Sequence, residues 1–179
     1  MPRKTVAVPL QVSKLLKIFC NEVKATLNEK FLALYFFGSL GMGDFSKHQS
    51  DIDFLALIAG SIGPAEGKRL QAVHDKLRVT KFGDRLEGEY IATSALGVEV
   101  TEGTVARCEE GSLLLDVPSK LCAENILDIR QNAIVIYGSN PKSIVPYCLS
   151  VVREEGYARL PKRIKQRIET LGAERLKVA

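Results

Sequence analysis

The chain has 179 residues, 46% of them hydrophobic and 26% charged, with a net charge of +4; this describes one globular core, too short for two large domains and too apolar for a disordered segment. No apolar run approaches the roughly 20 residues of a membrane-spanning helix, and the basic start MPRKTVAVPLQVSKLL lacks the continuous apolar core and small-residue cleavage site of a secretory signal. The cysteines at positions 20, 108, 122 and 148 are dispersed rather than paired as in a zinc or redox motif, so they read as reduced structural thiols of a cytoplasmic protein, and the modest charge does not by itself point to nucleic acid.

From Val12 to Leu27 the apolar residues Val12, Leu15, Leu16, Phe19, Val23 and Leu27 recur at three- and four-residue spacing, which predicts an amphipathic helix lying on a sheet. FLALYFF, Phe31 to Phe37, is too short for a helix and apolar on both alternating faces, the pattern of a strand covered on both sides; it ends at Gly38. DIDFLALI, Asp51 to Ile58, is a second interior strand whose first residues are acidic. Pro64 to Val79 has helical spacing at Leu70, Val73 and Leu77, and a third strand is expected over Arg85 to Ile91. A polar stretch with turn-forming glycines follows, then a helix over Ser119 to Gln131 and a short strand in AIVIYG. Helices alternating with short strands predict an α/β domain over residues 1–146. The Lys-, Arg- and Glu-rich residues 147–179 read as a helical segment or solvated tail.

The chemistry concentrates in YFFGSLGMGDFSKHQSDIDFLALI, Tyr35 to Ile58. Gly38 has no side chain, so a phosphate can approach the backbone there, and Ser39 offers a hydroxyl and an expected helix N-cap. Gly41 and Gly43 serve either loop flexibility or close approach of backbone donors to phosphate. In Asp51-Ile52-Asp53 the period of two sends both carboxylates to one face, roughly 7 Å apart, and Ile52 into the core. Two like charges at the edge of an apolar strand repel, and a divalent cation removes the repulsion. Carboxylate oxygens suit Mg²⁺, which keeps part of its shell for water and substrate phosphates, here those of a nucleoside triphosphate. A third carboxylate is expected from RLEGEYI, where Glu87 and Glu89 share the face opposite Leu86, Gly88 and Tyr90.

Apolar strand, Gly-Ser, spacer and Asp-x-Asp flanked by apolar residues: in this the chain resembles the DNA polymerase beta-like nucleotidyltransferase superfamily. Within it, LEGEYI and VIYGSNPKSIVP are most similar to the bacterial aminoglycoside adenylyltransferases of the streptomycin and spectinomycin type, over about Val12 to Pro146. The resemblance implies a polymerase beta-like nucleotidyltransferase fold, a small mixed sheet with packed helices and a short C-terminal helical tail. It implies Mg²⁺ on Asp51, Asp53 and Glu87, the phosphates of ATP at Gly38 and Ser39, and Glu87 as the base that activates an acceptor hydroxyl of an aminoglycoside-like small molecule or a protein. The enzymes resembled carry a further helical domain over the acceptor, where this chain has only 147–179, so a homodimer or a partner protein is expected to complete the pocket. A second implied role is that of an antitoxin-like minimal nucleotidyltransferase, which acts chiefly on a partner protein. Retention of all three carboxylates favours the enzyme.

The remaining polar residues read more plainly. Gly138-Ser139 has no Asp-x-Asp after it and is assigned to structure. Lys47 and His48 are expected to be exposed loop residues, His74 a surface or boundary histidine, Glu89 a solvent-facing strand residue or the base in place of Glu87, and Arg85 its partner or a phosphate contact.

Overall fold

The computed structural model describes residues 7–96 and 104–145; the expected segment 147–179 and the boundary before it lie outside the described residues. Helix α1, Leu10–Leu27, buries Val12, Leu15, Leu16, Phe19, Cys20, Val23 and Leu27, the stripe its spacing predicts. Strands β1 (Phe31–Phe36), β2 (Ile52–Ile58) and β3 (Leu86–Ala92) match the three predicted strands to within a residue or two. The five-residue helix α2, Gly38–Met42, follows β1, and α3, Pro64–Arg78, crosses from β2 to β3.

The predicted polar stretch contains a hairpin, β4 (Thr104–Glu109) and β5 (Ser112–Pro118). Its two-residue turn places Glu110 and Gly111 at φ 49° and 78°, the left-handed pair that matches the twist of a tight hairpin. The hairpin escapes a reading by hydrophobic runs because β5 lies at the sheet edge with every second residue exposed. Helix α4 spans Ala123–Asn132, four residues later than expected at its start, because Ser119 and Lys120 belong to the preceding loop; β6 (Ile134–Tyr137) and α5 (Pro141–Ile144) complete the described chain.

The six strands form one sheet in the order β5-β4-β3-β2-β1-β6. All neighbours are antiparallel except β2 and β3, which run parallel because helix α3 carries the chain back across the sheet. On one face Phe36, Ile52, Phe54, Ala56, Leu86 and Tyr90 pack with the buried stripes of α1 and α3 into the main core. Strand β1 presents Phe31, Leu34 and Phe36 to that face, an odd step that the register shift between Phe31 and Ala33 accommodates. Strands β2 and β3 approach so closely that a Cβ at Gly88 would meet the Phe54 carbonyl oxygen at 2.1 Å. The other face carries Leu55, Leu57 and Ile91, also buried, together with Asp53, Glu87 and Glu89. No helix among the described residues is long and apolar enough to cross a membrane.

His74 is not a surface histidine: only 3% of it is exposed. Its Nε2 lies 2.9 Å from the Tyr90 hydroxyl and its Nδ1 lies 3.2 Å from Cys108 Sγ, while Cys108 Sγ–H donates to the Leu86 carbonyl at 3.6 Å. One proton arrangement leaves no donor unspent: Tyr90 O–H donates to Nε2, Nδ1–H donates to Sγ, and S–H donates to Leu86. The chain of bonds requires a neutral imidazole, and burial drives the His74 pKa down to about 4. It also pushes the Cys108 thiol up to about 12, so that cysteine is an inert structural thiol; Cys20 and Cys122 are likewise free.

Unfolded His74 takes a proton near pH 6.5, whereas the folded imidazole resists until about pH 4. Its contribution to stability is therefore complete above pH 6.5 and lost as the pH falls towards 4, on the order of 3 kcal/mol at about 1.4 kcal/mol per pH unit. His74→Phe is expected to be less stable than the wild type at pH 7, with the gap narrowing by about that amount on acidification. Urea unfolding at pH 7, 5.5 and 4 measures it, and a gap independent of pH counts against a buried neutral imidazole.

Candidate functional site

Strand β1 delivers the chain to the site through a bond that continues its pairing with β2, from the Phe37 N–H to the Asp53 carbonyl at 3.1 Å. Gly38 then turns at φ +64°. A Cβ there would sit 2.3 Å from Asp53 Oδ2, so the glycine leaves room for the Asp53 carboxylate. Its N–H donates to Asp128 Oδ2 at 2.7 Å. The open backbone expected at Gly38 is therefore partly taken up within the protein. Ser39 is not an N-cap: helix α2 begins one residue earlier, at Gly38, which makes Ser39 its second residue, and the N-cap position falls on Phe37, whose side chain makes no capping bond. Of the loop glycines, Gly43 ends α2 in the left-handed conformation.

The parallel register sets Asp53 directly opposite Glu87, so both carboxylates leave the same face of adjacent strands at the same level. Asp51 stands exposed one residue before β2, and Asp53 is part-buried. Burial, followed by the charges of Asp51, Glu87 and Asp128, raises the Asp53 pKa to about 6. The Glu87 carboxyl is raised too, chiefly by burial and further by Asp51, Glu109 and Glu110, against the lowering effect of the Glu110 N–H, which donates to its Oε1 at 3.5 Å. Four carboxylates thus crowd one end of the β2–β3 pair. No group of three or more His, Cys, Asp or Glu among the described residues is placed to hold a metal ion by itself. The oxygen-only donors of Asp51, Asp53 and Glu87, none of them in an ion pair among the described residues, fit instead a hard cation of the kind shared with a substrate, which takes one or two carboxylates and completes its shell with phosphate and water.

The glutamates of β3 have separate fates. Glu89 does not face solvent, being only 3% exposed. One of its oxygens accepts from Ser119 Oγ and the other from the Lys120 N–H, both at 2.6 Å, so Glu89 ties the loop before α4 to the sheet. Arg85 does not pair with it; its Nη1 donates to the Ser50 carbonyl at 3.3 Å and steadies the approach to Asp51. Lys47 and His48 are exposed, as expected. Gly138-Ser139 is structural: the Ser139 carbonyl accepts from the Tyr35 hydroxyl at 2.8 Å.

The sequence reading did not single out Asp128. It lies on α4 between the buried Ile126 and Ile129, and its Oδ1 accepts from Asn132 Nδ2, four residues on, at 2.6 Å. An acid followed four residues later by an amide is a common surface pattern, so the only local signal was a weak one.

No family model and no curated protein matches the chain. Among solved structures, a spectinomycin adenyltransferase from Enterococcus faecialis superposes with a TM-score of 0.62 at 16% identity, over 75% of this chain and 59% of that enzyme. The fold is that of a nucleotidyltransferase. The chain spans less than two thirds of that enzyme's length. A toxin–antitoxin structure, MntA-HpeT, is matched over 90% of this chain at 13% identity, but at a TM-score of 0.43 it carries no weight.

For Asp53 the pH dependence runs opposite to that of His74. Its folded pKa lies above the ordinary 3.8, so the folded chain keeps the proton longer, and stability from this group is lost as the pH rises from 3.8 to about 6. Asp53→Asn is expected to raise metal-free stability at pH 7 by up to about 3 kcal/mol, with the gain fading near pH 4. Thermal unfolding in a chelator checks this; a variant less stable than the wild type at pH 7 would mean that Asp53 is compensated in the fold.

Proposed function

We propose that the chain is a magnesium-dependent nucleotidyltransferase that moves a nucleoside monophosphate, AMP from ATP, to a hydroxyl of a small molecule such as an aminoglycoside or of a protein. The observation that carries this reading is the register of Asp53 against Glu87, beside Asp51 and the turn at Gly38. Holding like charges together at a part-buried strand end is costly, and a nucleotide bound with its cation makes use of them. ATP is motivated by the spectinomycin adenyltransferase, whose structure contains ATP and spectinomycin.

Asp51 and Asp53, with Glu87 as the third carboxylate, would hold the magnesium. Magnesium, when bound, neutralises charge on the triphosphate and on the departing pyrophosphate. Gly38 and Ser39 orient the β- and γ-phosphates through backbone and hydroxyl. Glu87 accepts the proton of the acceptor hydroxyl as that oxygen attacks the α-phosphorus in line; a carboxyl raised by burial and neighbouring charge is the better base for it. Glu89 is spent on Ser119 and Lys120 and cannot take over the role without freeing that loop.

Asp51→Asn and Asp53→Asn are expected to abolish the magnesium-dependent part of ATP binding, measured by titration calorimetry with and without magnesium, while both variants remain folded. Glu87→Gln should lower turnover by about 10²–10⁴-fold with ATP affinity largely kept, the range for loss of a general base. Unchanged turnover in Glu87→Gln removes it from that role. Incubating the wild type with α-labelled ATP, magnesium and cell extract identifies the acceptor. Label on a small molecule or on a protein supports transfer and names its class. No label, together with no magnesium-dependent ATP binding, overturns the enzyme reading in favour of a module that acts by binding a partner.

A further inference from the structure

The bond between Gly38 and Asp128 joins parts of the chain 90 residues apart and reaches the most constrained point of the site. On one side of Gly38 stands Asp53, whose Oδ2 occupies the space of the missing Cβ. On the other stands Asp128, whose Oδ2 takes the Gly38 N–H at 2.7 Å while Asn132 Nδ2 donates to its Oδ1 at 2.6 Å. Asn132 is the last residue of α4, and its bond to Asp128 spans one helical turn, so the carboxylate is itself held in orientation.

A glycine with positive φ where a strand gives way to a helix has little of its own to hold it there. The Phe37 N–H bond to the Asp53 carbonyl fixes the residue before it, and the Gly41 N–H bond to the Phe37 carbonyl, at 3.4 Å, is long. An acceptor on Gly38 itself is what distinguishes one turn conformation from its alternatives. A negatively charged acceptor gives a stronger bond than a neutral one, but brings a fourth carboxylate towards Asp53.

We propose that Asp128 is a positioning residue of the site: through the Gly38 N–H it fixes the turn between β1 and α2 against Asp53, and so sets where Gly38 and Ser39 meet the phosphates of the nucleotide. The part of this concerning phosphates rests on the nucleotidyl-transfer reading; the clamp on Gly38 does not. In this proposal Asp128 acts through the Gly38 backbone.

Two variants separate the bond from the charge. Asp128→Asn keeps an oxygen for the Gly38 N–H, and Asn132 can rotate its amide to suit the new side chain; Asp128→Ala removes the acceptor altogether. Amide hydrogen exchange at Gly38, followed by NMR without nucleotide, is expected to quicken about tenfold or more in Asp128→Ala and to stay within about threefold of the wild type in Asp128→Asn, as for loss or retention of one bond to a charged or amide acceptor. The dissociation constant for ATP with magnesium should follow the same order, about tenfold weaker in Asp128→Ala and within about threefold in Asp128→Asn, with KM moved more than kcat. Unchanged Gly38 exchange in Asp128→Ala overturns the clamp. Equal damage from both variants overturns it in favour of a role for the charge. Should Asp128→Ala not fold, loss of Gly38 protection in a folded Asp128→Asn overturns it as well. A wild-type chain that binds no nucleotide, yet shows the Asp128-dependent protection at Gly38, overturns the nucleotidyl-transfer reading and leaves the clamp standing.

Discussion

Repulsion among carboxylates at one end of β2 and β3 is the constraint around which the rest of the domain is organised. Asp53 and Glu87 face each other across the parallel pair in the sheet, and the proton affinity of both is raised, first by burial and then by neighbouring acids. The surrounding structure prevents the two groups from separating. Crossover through α3 makes the pair parallel, and Ile52, Phe54, Leu86 and Tyr90, alternating with the acids, anchor both strands in the main core. Moving either acid out of register by one residue would drive a charge into that core and a large apolar side chain out of it.

The two faces of β3 divide the work. Behind it, the bonded series Tyr90, His74 and Cys108 satisfies buried polar groups with neutral partners and ends on the carbonyl of Leu86, the residue before Glu87. In front, Glu89 has its oxygens filled by Ser119 and Lys120, whereas among the described residues Glu87 has one long bond, to the tip of the β4–β5 hairpin. Two glutamates on one face, two residues apart, thus have opposite capacities. A carboxylate saturated with donors is fixed and unreactive; one with unused lone pairs beside like charges has room for a cation or a proton.

A fold shared with a spectinomycin adenyltransferase at 16% identity indicates how little of the sequence is needed to specify it. Apolar residues in the right alternation, a helix long enough to reverse the chain between β2 and β3, and a glycine at the end of β1 suffice for the frame, because a core tolerates many volume-conserving exchanges. Position-specific demands fall on a few residues only. Gly38 must leave space for Asp53, and Gly88 must let β3 lie against the Phe54 carbonyl.

Much of this was readable along the chain. The stripe of α1, the apolar runs of β1 and β2 and the acidic opening of β2 are local patterns with periods of 3.6 and 2, so the sequence by itself determined the α/β class and the candidacy of Asp51, Asp53 and Glu87, as well as Gly38. It failed where a residue's environment is supplied from a distance. The β4–β5 hairpin is stabilised by its place at the sheet edge and by a two-residue turn rather than by a strong apolar run. His74 owes its burial to Phe54, stacked on its ring, and Tyr90, which meets it edge-on, from two strands. Glu87 and Glu89 are indistinguishable by pattern, and only the loop before α4, folding back over the sheet, commits Glu89 to structure. Asp128 joins the site solely because α4 lands beside the turn at Gly38. Local periodicity decides which residues are paired, buried or turned, whereas the partners of a buried charge are chosen by packing between elements far apart in the chain, and that only the tertiary structure could decide.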